Sequence, residues 1–199
     1  MGGLLITFDG PDGSGKTIQI GLLAKYLKPK KEAVLTKNPT DGKIGKLLMD
    51  FYLKKTSLPF LDTLLFFADR EEQTETIIKP NLKSGKIVIS DRYYHCSLVY
   101  QNIQGVDFTT LLELSRHFPK PDLTIFLDVS VKTSLDRMRI KKRERDIKKF
   151  EAAKFLETVR ERYLELPKKL PAENIVIIDG EDSPENIHKK VVKEVEELL

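Results

Sequence analysis

The chain has 199 residues, 40% of them hydrophobic and 32% charged, with 11 Gly, 10 Pro and no Trp, a composition that supports a buried core and excludes disorder and collagen-like repeats. Its 34 basic and 30 acidic residues give a net charge of +4, too mild a balance to mark a nucleic-acid binder. The basic excess is local: residues 132–149 hold nine Lys or Arg against three acids, which leaves the remainder slightly acidic.

In chain order, the periodicity predicts a strand at Leu4–Phe8, a helix over 16–27, a strand at Ala33–Thr36 and helices over 43–53 and 60–82. A third strand follows at Ile87–Ser90, then a helix over 107–117 and a fourth strand at Leu123–Leu127. Helices over 130–140 and 150–165, a fifth strand at Ile175–Ile178 and a helix over 184–198 complete the chain. The strands are nearly continuous in apolar residues, the pattern of strands buried on both faces of a parallel sheet covered by helices. The fold class is therefore α/β. Pro and Gly fall between the elements, so residues 1–199 are expected to form a single domain.

Cys96 is the lone cysteine, which excludes an intramolecular disulfide and a Cys-based metal site and suits a reducing compartment. Its apolar and aromatic neighbours make it a packed residue rather than a nucleophile. No apolar run reaches the ~18 residues of a membrane span, and no basic-then-apolar leader opens the chain. A cytoplasmic protein with no membrane partner is expected. His95, His117 and His188 are scattered without metal-ligand spacing and read as structural or surface residues.

Residues 10 to 17, Gly-Pro-Asp-Gly-Ser-Gly-Lys-Thr, match G-x-x-x-x-G-K-[ST] in full, between an apolar strand and a helix. Gly10, Gly13 and Gly15 let the backbone wrap so that the N–H groups of the loop, including that of Ser14, face phosphate oxygens, and the next helix adds its positive end. Lys16 can reach the outer phosphates and the Thr17 hydroxyl can ligate Mg²⁺. Nucleoside triphosphate binding is expected, with hydrolysis, switching and phosphoryl transfer all open. The third strand ends in Asp91-Arg92-Tyr93, where ligands bind in open α/β sheets. Asp91 can join the Mg²⁺ shell, while Arg92 either pairs with that acid or supplies a second cation near the transferred phosphoryl.

The pattern resembles the thymidylate kinase family from end to end. The residues that carry the resemblance are Phe8-Asp9-Gly10-Pro11-Asp12-Gly13, Phe66-Phe67-Ala68-Asp69-Arg70, Asp91-Arg92-Tyr93 with Ser97 and Tyr100-Gln101, Pro121-Asp122-Leu123, and Phe150-Glu151 ahead of Val159-Arg160 and Tyr163-Leu164. The resemblance implies a three-layer P-loop kinase fold with a five-stranded parallel sheet in order 2-3-1-4-5 and a short lid over 137–149. It also implies ATP and dTMP as substrates and a homodimer. Phe66 would stack on the pyrimidine, with a core Phe as the rival reading. Arg70, one helical turn on, would donate to a base carbonyl, or pair with nearby acids instead. Asp12 would hold the 3′-hydroxyl of dTMP, or simply stabilise its loop. Tyr100 would crowd the 2′ position, or fill the core, while Ser97 and Gln101 would bond the base. Arg92, helped by Lys37, would hold the acceptor phosphate. The family usually has Thr-Arg-Glu-Pro after the second strand; this chain has Thr36-Lys37-Asn38-Pro39, so a bidentate guanidinium has become a point charge and an acid an amide.

The basic run over 137–149 is either the solvated face of a charged helix or a lid that delivers arginines and excludes water. One branch of the family has an Arg directly after the loop acid, and the branch that lacks it takes its catalytic arginine from the lid. Gly13 stands at that position here, so Arg143 and Arg145 are the candidates, with Arg137 nearer the adenine. The expected activity is Mg²⁺-dependent phosphoryl transfer from ATP to dTMP. The alternatives are a broad or dUMP-preferring kinase and a non-catalytic P-loop switch protein. Nucleic-acid binding is disfavoured because no aromatic platform interleaves the basic run.

Overall fold

The computed structural model describes residues 2–53, 58–141 and 149–199. Five strands, β1 (Leu4–Asp9), β2 (Ala33–Lys37), β3 (Ile87–Asp91), β4 (Leu123–Asp128) and β5 (Ile175–Asp179), form one all-parallel sheet in the order β2-β3-β1-β4-β5. Each strand runs one polar residue past its apolar stretch. The register pairs Phe8 with Asp91 and with Ile125, Lys37 with Asp91, and Asp128 with Asp179. One edge of the sheet is thus a row of charged residues, which is where the site sits.

The strand side chains alternate between two cores. Leu5, Val88 and Phe126 face one side with Tyr93, Leu98, Val159 and Tyr163. Ile6, Phe8, Ile89, Ile125 and Leu127 face the other with Ile20, Leu23, Ile187 and Val191. The second core is closed by α1 (Lys16–Leu27) and α9 (Pro184–Glu196), which pack together. The first is closed by α3 (Pro59–Gln73), α5 (Tyr94–Ile103), α6 (Phe108–Ser115) and α8 (Lys149–Lys169). Between these lie α2 (Lys43–Leu53), α4 (Lys79–Lys83) and α7 (Val131–Lys141).

The structure departs from the periodicity in three places. Burial on both faces holds for the central strands, whereas the edge strands β2 and β5 are half-open, with Leu35 50% and Ile177 41% exposed. The span expected as one helix over 60–82 is α3, a π-helical turn at Thr74–Ile78 and α4. Pro80 has no N–H to offer the carbonyl four residues back and its ring crowds that carbonyl, so the chain enters α4 through a wider turn. Helix α5 has no counterpart in the expected elements. It is rich in aromatic and β-branched residues, weak helix formers, and is buried on nearly every side, which erases the amphipathic period.

Candidate active site

The loop between β1 and α1 folds on glycines at positive φ. Gly10 (143°) and Gly13 (82°) also lie where a Cβ would fall 2.9 Å from Leu127 O and 2.6 Å from Ser134 O, so no other residue fits there. Gly15 caps α1 from the left-handed region, and the first turn of α1 holds no acid, which leaves its positive end for an anion. Ser14 is fully buried beneath the loop. Lys16 folds back into the loop, its Nζ donating to Gly10 O and Pro11 O at 3.0 Å each. Burial, with Arg92 nearby, lowers its pKa to about 8.

The Thr17 hydroxyl donates to Asp91 Oδ2 at 3.3 Å, so two hard oxygen ligands meet at the end of β3 beside the loop. This donor set fits Mg²⁺, which takes one or two protein oxygens and fills its shell with water and phosphate. A groove of about 610 Å³ runs from this pair along Thr36, Lys37 and Thr40 to Gln73. Lys37 Nζ lies 2.9 Å from Asp41 in the open.

Arg92 adopts φ 69°, the left-handed region that a non-glycine residue enters at a cost. Two bonds hold it: its N–H donates to Phe8 O at 2.8 Å and its carbonyl accepts from Ser90 Oγ at 2.7 Å. The strained turn aims the guanidinium across the loop, where it pairs with Asp12 Oδ1 at 2.7 Å, not with its sequence neighbour Asp91, and lies over the Tyr100 ring at 5.3 Å. Its Nη1 reaches Cys96 Sγ at 3.5 Å, and burial pushes that thiol's pKa up, which disfavours the thiolate.

Another wall of the site is built by α3 and α5. Arg70 is wholly buried among the rings of Phe67, Tyr93 and Phe118. It donates to Ser97 Oγ (3.2 Å), Asn38 Oδ1 (2.8 Å) and Tyr93 O (3.1 Å), while its Nε has no partner among the described residues. Gln101, one turn beyond Ser97 and 2% exposed, has an unpartnered Oε1. Phe66 is half-buried on α3. The alternative of Arg70 paired with nearby acids is not what the described residues show, since its hydrogen-bond partners among them are neutral and it is fully buried, and Tyr100 packs near Tyr163 and Phe155.

On the other side of the loop, Arg137 donates to Gly13 O (3.5 Å), Ser14 O (3.3 Å) and Gly180 O (3.0 Å), tying the phosphate loop to the turn after β5. Arg143 and Arg145 lie outside the described residues. Several groups at the site stand out only in the fold. Asp9 is fully buried at the end of β1, accepts from Tyr163 OH at 3.1 Å, and has a pKa raised by burial. Arg160 of α8 grips Asp128 with two bonds, at 2.6 and 3.0 Å. The sequence held one cue to these pairs, an acid closing four of the five apolar strands.

A parallel sheet in this order, with a glycine loop after β1 and a Thr–carboxylate pair beside it, defines a P-loop kinase. A thymidylate kinase family model matches residues 8–191. The chain is 38% identical to a probable thymidylate kinase of Thermococcus gammatolerans, over 99% of this chain and 98% of that one. It is 34% identical to a thymidylate kinase of Fervidobacterium nodosum, over 96% and 97%. The crystal structure of thymidylate kinase from Ehrlichia chaffeensis superposes with a TM-score of 0.78 at 30% identity, covering 98% of this chain and all of that one. The chain belongs to the thymidylate kinase family.

Proposed function

We propose that this kinase transfers the γ-phosphoryl of ATP to dTMP, giving ADP and dTDP for dTTP synthesis. The observation that carries the acceptor half is the pair of buried, unpartnered groups on α3 and α5: the Arg70 Nε donor and the Gln101 Oε1 acceptor. A base edge with a carbonyl beside a ring N–H complements both, and leaving them empty is costly. Phe66 and Tyr100 would flank the base and sugar, and Asp12 would take the 3′-hydroxyl.

On the donor side the loop amides of Gly10 to Thr17 would cradle the phosphates and Lys16 would turn from the loop carbonyls to them. Arg137 would border the adenine. Thr17 and Asp91 would hold Mg²⁺, which supplies charge neutralisation on the phosphates when bound. Arg92, set across the loop by its strained turn and helped by Lys37, would bind the acceptor phosphate. That phosphate is already ionised, so no general base is needed. Arg143 and Arg145 of the lid would add positive charge to the transferring group and close out water.

We read the chain as one domain and as a homodimer. Leu47, Met49 and Phe51 of α2 and Leu58, Phe60 and Leu64 at the start of α3 are exposed, and α2 packs on α3; exposed apolar side chains on two packed helices support this reading. A cytoplasmic setting fits the free thiol of Cys96. The test is product analysis after incubation with ATP, Mg²⁺ and dTMP: dTDP and ADP should form in equal amounts, whereas ADP without dTDP would show hydrolysis in place of transfer.

A further inference from the structure

Asn38, in the turn after β2, is 4% exposed and sits between two neighbours of opposite charge on α3. Its Nδ2 donates to Asp69 Oδ2 at 2.7 Å and its Oδ1 accepts from Arg70 Nη2 at 2.8 Å. A carboxylate can only accept and a guanidinium can only donate, so these partners dictate which way the amide points. Asp69 also accepts from Thr40 N (2.9 Å) and Thr40 Oγ1 (2.5 Å). Among the described residues Arg70 bonds only neutral acceptors, the oxygens of Ser97, Asn38 and Tyr93. Two wholly buried, oppositely charged side chains, adjacent in sequence, therefore meet through a neutral amide.

We propose that Asn38 is a positioning residue for the acceptor base: a neutral relay that fixes the Arg70 guanidinium without letting a carboxylate pair with it directly. The inference rests on the reading of Arg70 as a donor to a base carbonyl. A direct ion pair would share the guanidinium between the base and an acid and would draw it toward that acid. The relay supplies the geometry of such a pair and leaves the charge for the ligand. Asn is a short, uncharged side chain whose donor and acceptor are separate atoms on one rigid plane; the isosteric Asp accepts from Arg70 equally well but can donate to Asp69 only when protonated.

This difference makes Asn38→Asp the test. Two carboxyls at this separation share one proton at low pH, and their mutual repulsion holds that proton to a pH above the ordinary carboxylate range. While the proton is held, the substituted side chain reproduces the relay; once it is lost, the site holds two facing carboxylates and a directly paired Arg70. The charges acting on Arg70 are those of Asp69, Asp9, Tyr93 and Cys96, with Lys37 and Asp41 paired nearby. Dividing the KM for dTMP of the variant by that of the unaltered enzyme at each pH removes their common contributions. The ratio should lie near one at about pH 5.5 and rise about tenfold by about pH 8.5, with the KM for ATP unmoved. Recovery of the ratio on returning the same sample to acid pH shows that the variant is folded.

Arg70→Ala serves as the second arm and should raise the KM for dTMP at every pH. If it does while the Asn38→Asp ratio stays near one, the relay is refuted and the acceptor pocket stands. A raised but pH-independent ratio refutes it too, because a plain packing defect has no reason to titrate. An Arg70→Ala enzyme with an unchanged KM for dTMP overturns the relay and the base-binding reading together.

Discussion

At the scale of single residues, the site combines groups held at unfavourable protonation or backbone states. Lys16 has a pKa lowered to about 8 from 10.5. Its folded value lies below its unfolded one, so between about pH 8 and 10.5 the unfolded chain binds more protons and stability rises with pH. Lys16→Met should abolish most phosphoryl transfer and raise the unfolding free energy at pH 7 by on the order of 3 kcal/mol, read from denaturant titrations; a less stable variant would contradict this account of Lys16. Glu173 behaves in the opposite sense. Burial alone would raise its carboxyl, but the His95 ring at 2.6 Å and the Tyr94 hydroxyl at 2.8 Å hold it below 4.5. That stabilisation is present above the unfolded pKa of about 4.5 and is lost as pH falls through the lower folded value. Glu173→Gln should therefore lower the melting temperature at neutral pH and flatten its acid dependence. His95, read in the sequence as structural, thus pins α5 to the turn before β5. The loop glycines, Lys16 and Thr17 were legible as a motif because they are contiguous in the chain, and Asp91 as an acid at the end of a buried strand. Asn38 was legible only as a departure, since its role depends on Asp69 and Arg70 arriving from another element.

At the scale of elements, strand ends and helix caps decide where the site groups stand. The five strands were legible because apolar runs bounded by turn residues leave little choice. Their exposed edges were not, because an edge strand has the same composition as a central one. Helix α5 was invisible for a related reason: burial on most sides removes the period that marks a helix, yet this helix carries Ser97, Tyr100 and Gln101. Helix α9 shows the contrary case, with Ile187, Val191 and Val195 buried at helical spacing, Pro184 in its first turn and Ser183 capping Asn186 N. Ser183→Ala should cost about 1 kcal/mol in unfolding free energy without affecting turnover. Arg160 anchors α8 to the end of β4, and Arg160→Met should cost about 1–3 kcal/mol, because it leaves Asp128 without its bidentate partner.

At the scale of the whole molecule, the sheet order brings the ends of β2, β3 and β1 together, and the Arg92–Asp12 pair lies there, where the proposed acceptor and donor half-sites would meet. The proposed homodimer would use the exposed apolar residues of α2 and α3. Sedimentation should show a dimer, and Leu47→Glu with Leu64→Glu should shift it to monomer by placing charge in that surface. For the lid, Arg143→Ala with Arg145→Ala should lower the transfer rate more than it weakens dTMP binding; a pure binding defect would move that role elsewhere. The central claim is transfer to a thymine nucleotide, and the most direct measurement is the rate of ADP formation from ATP and Mg²⁺ with dTMP, dUMP, UMP, CMP or AMP supplied singly beside a control without acceptor. The account predicts fast turnover with dTMP and slower turnover with each of the others; a rate that no acceptor raises above the control would contradict it.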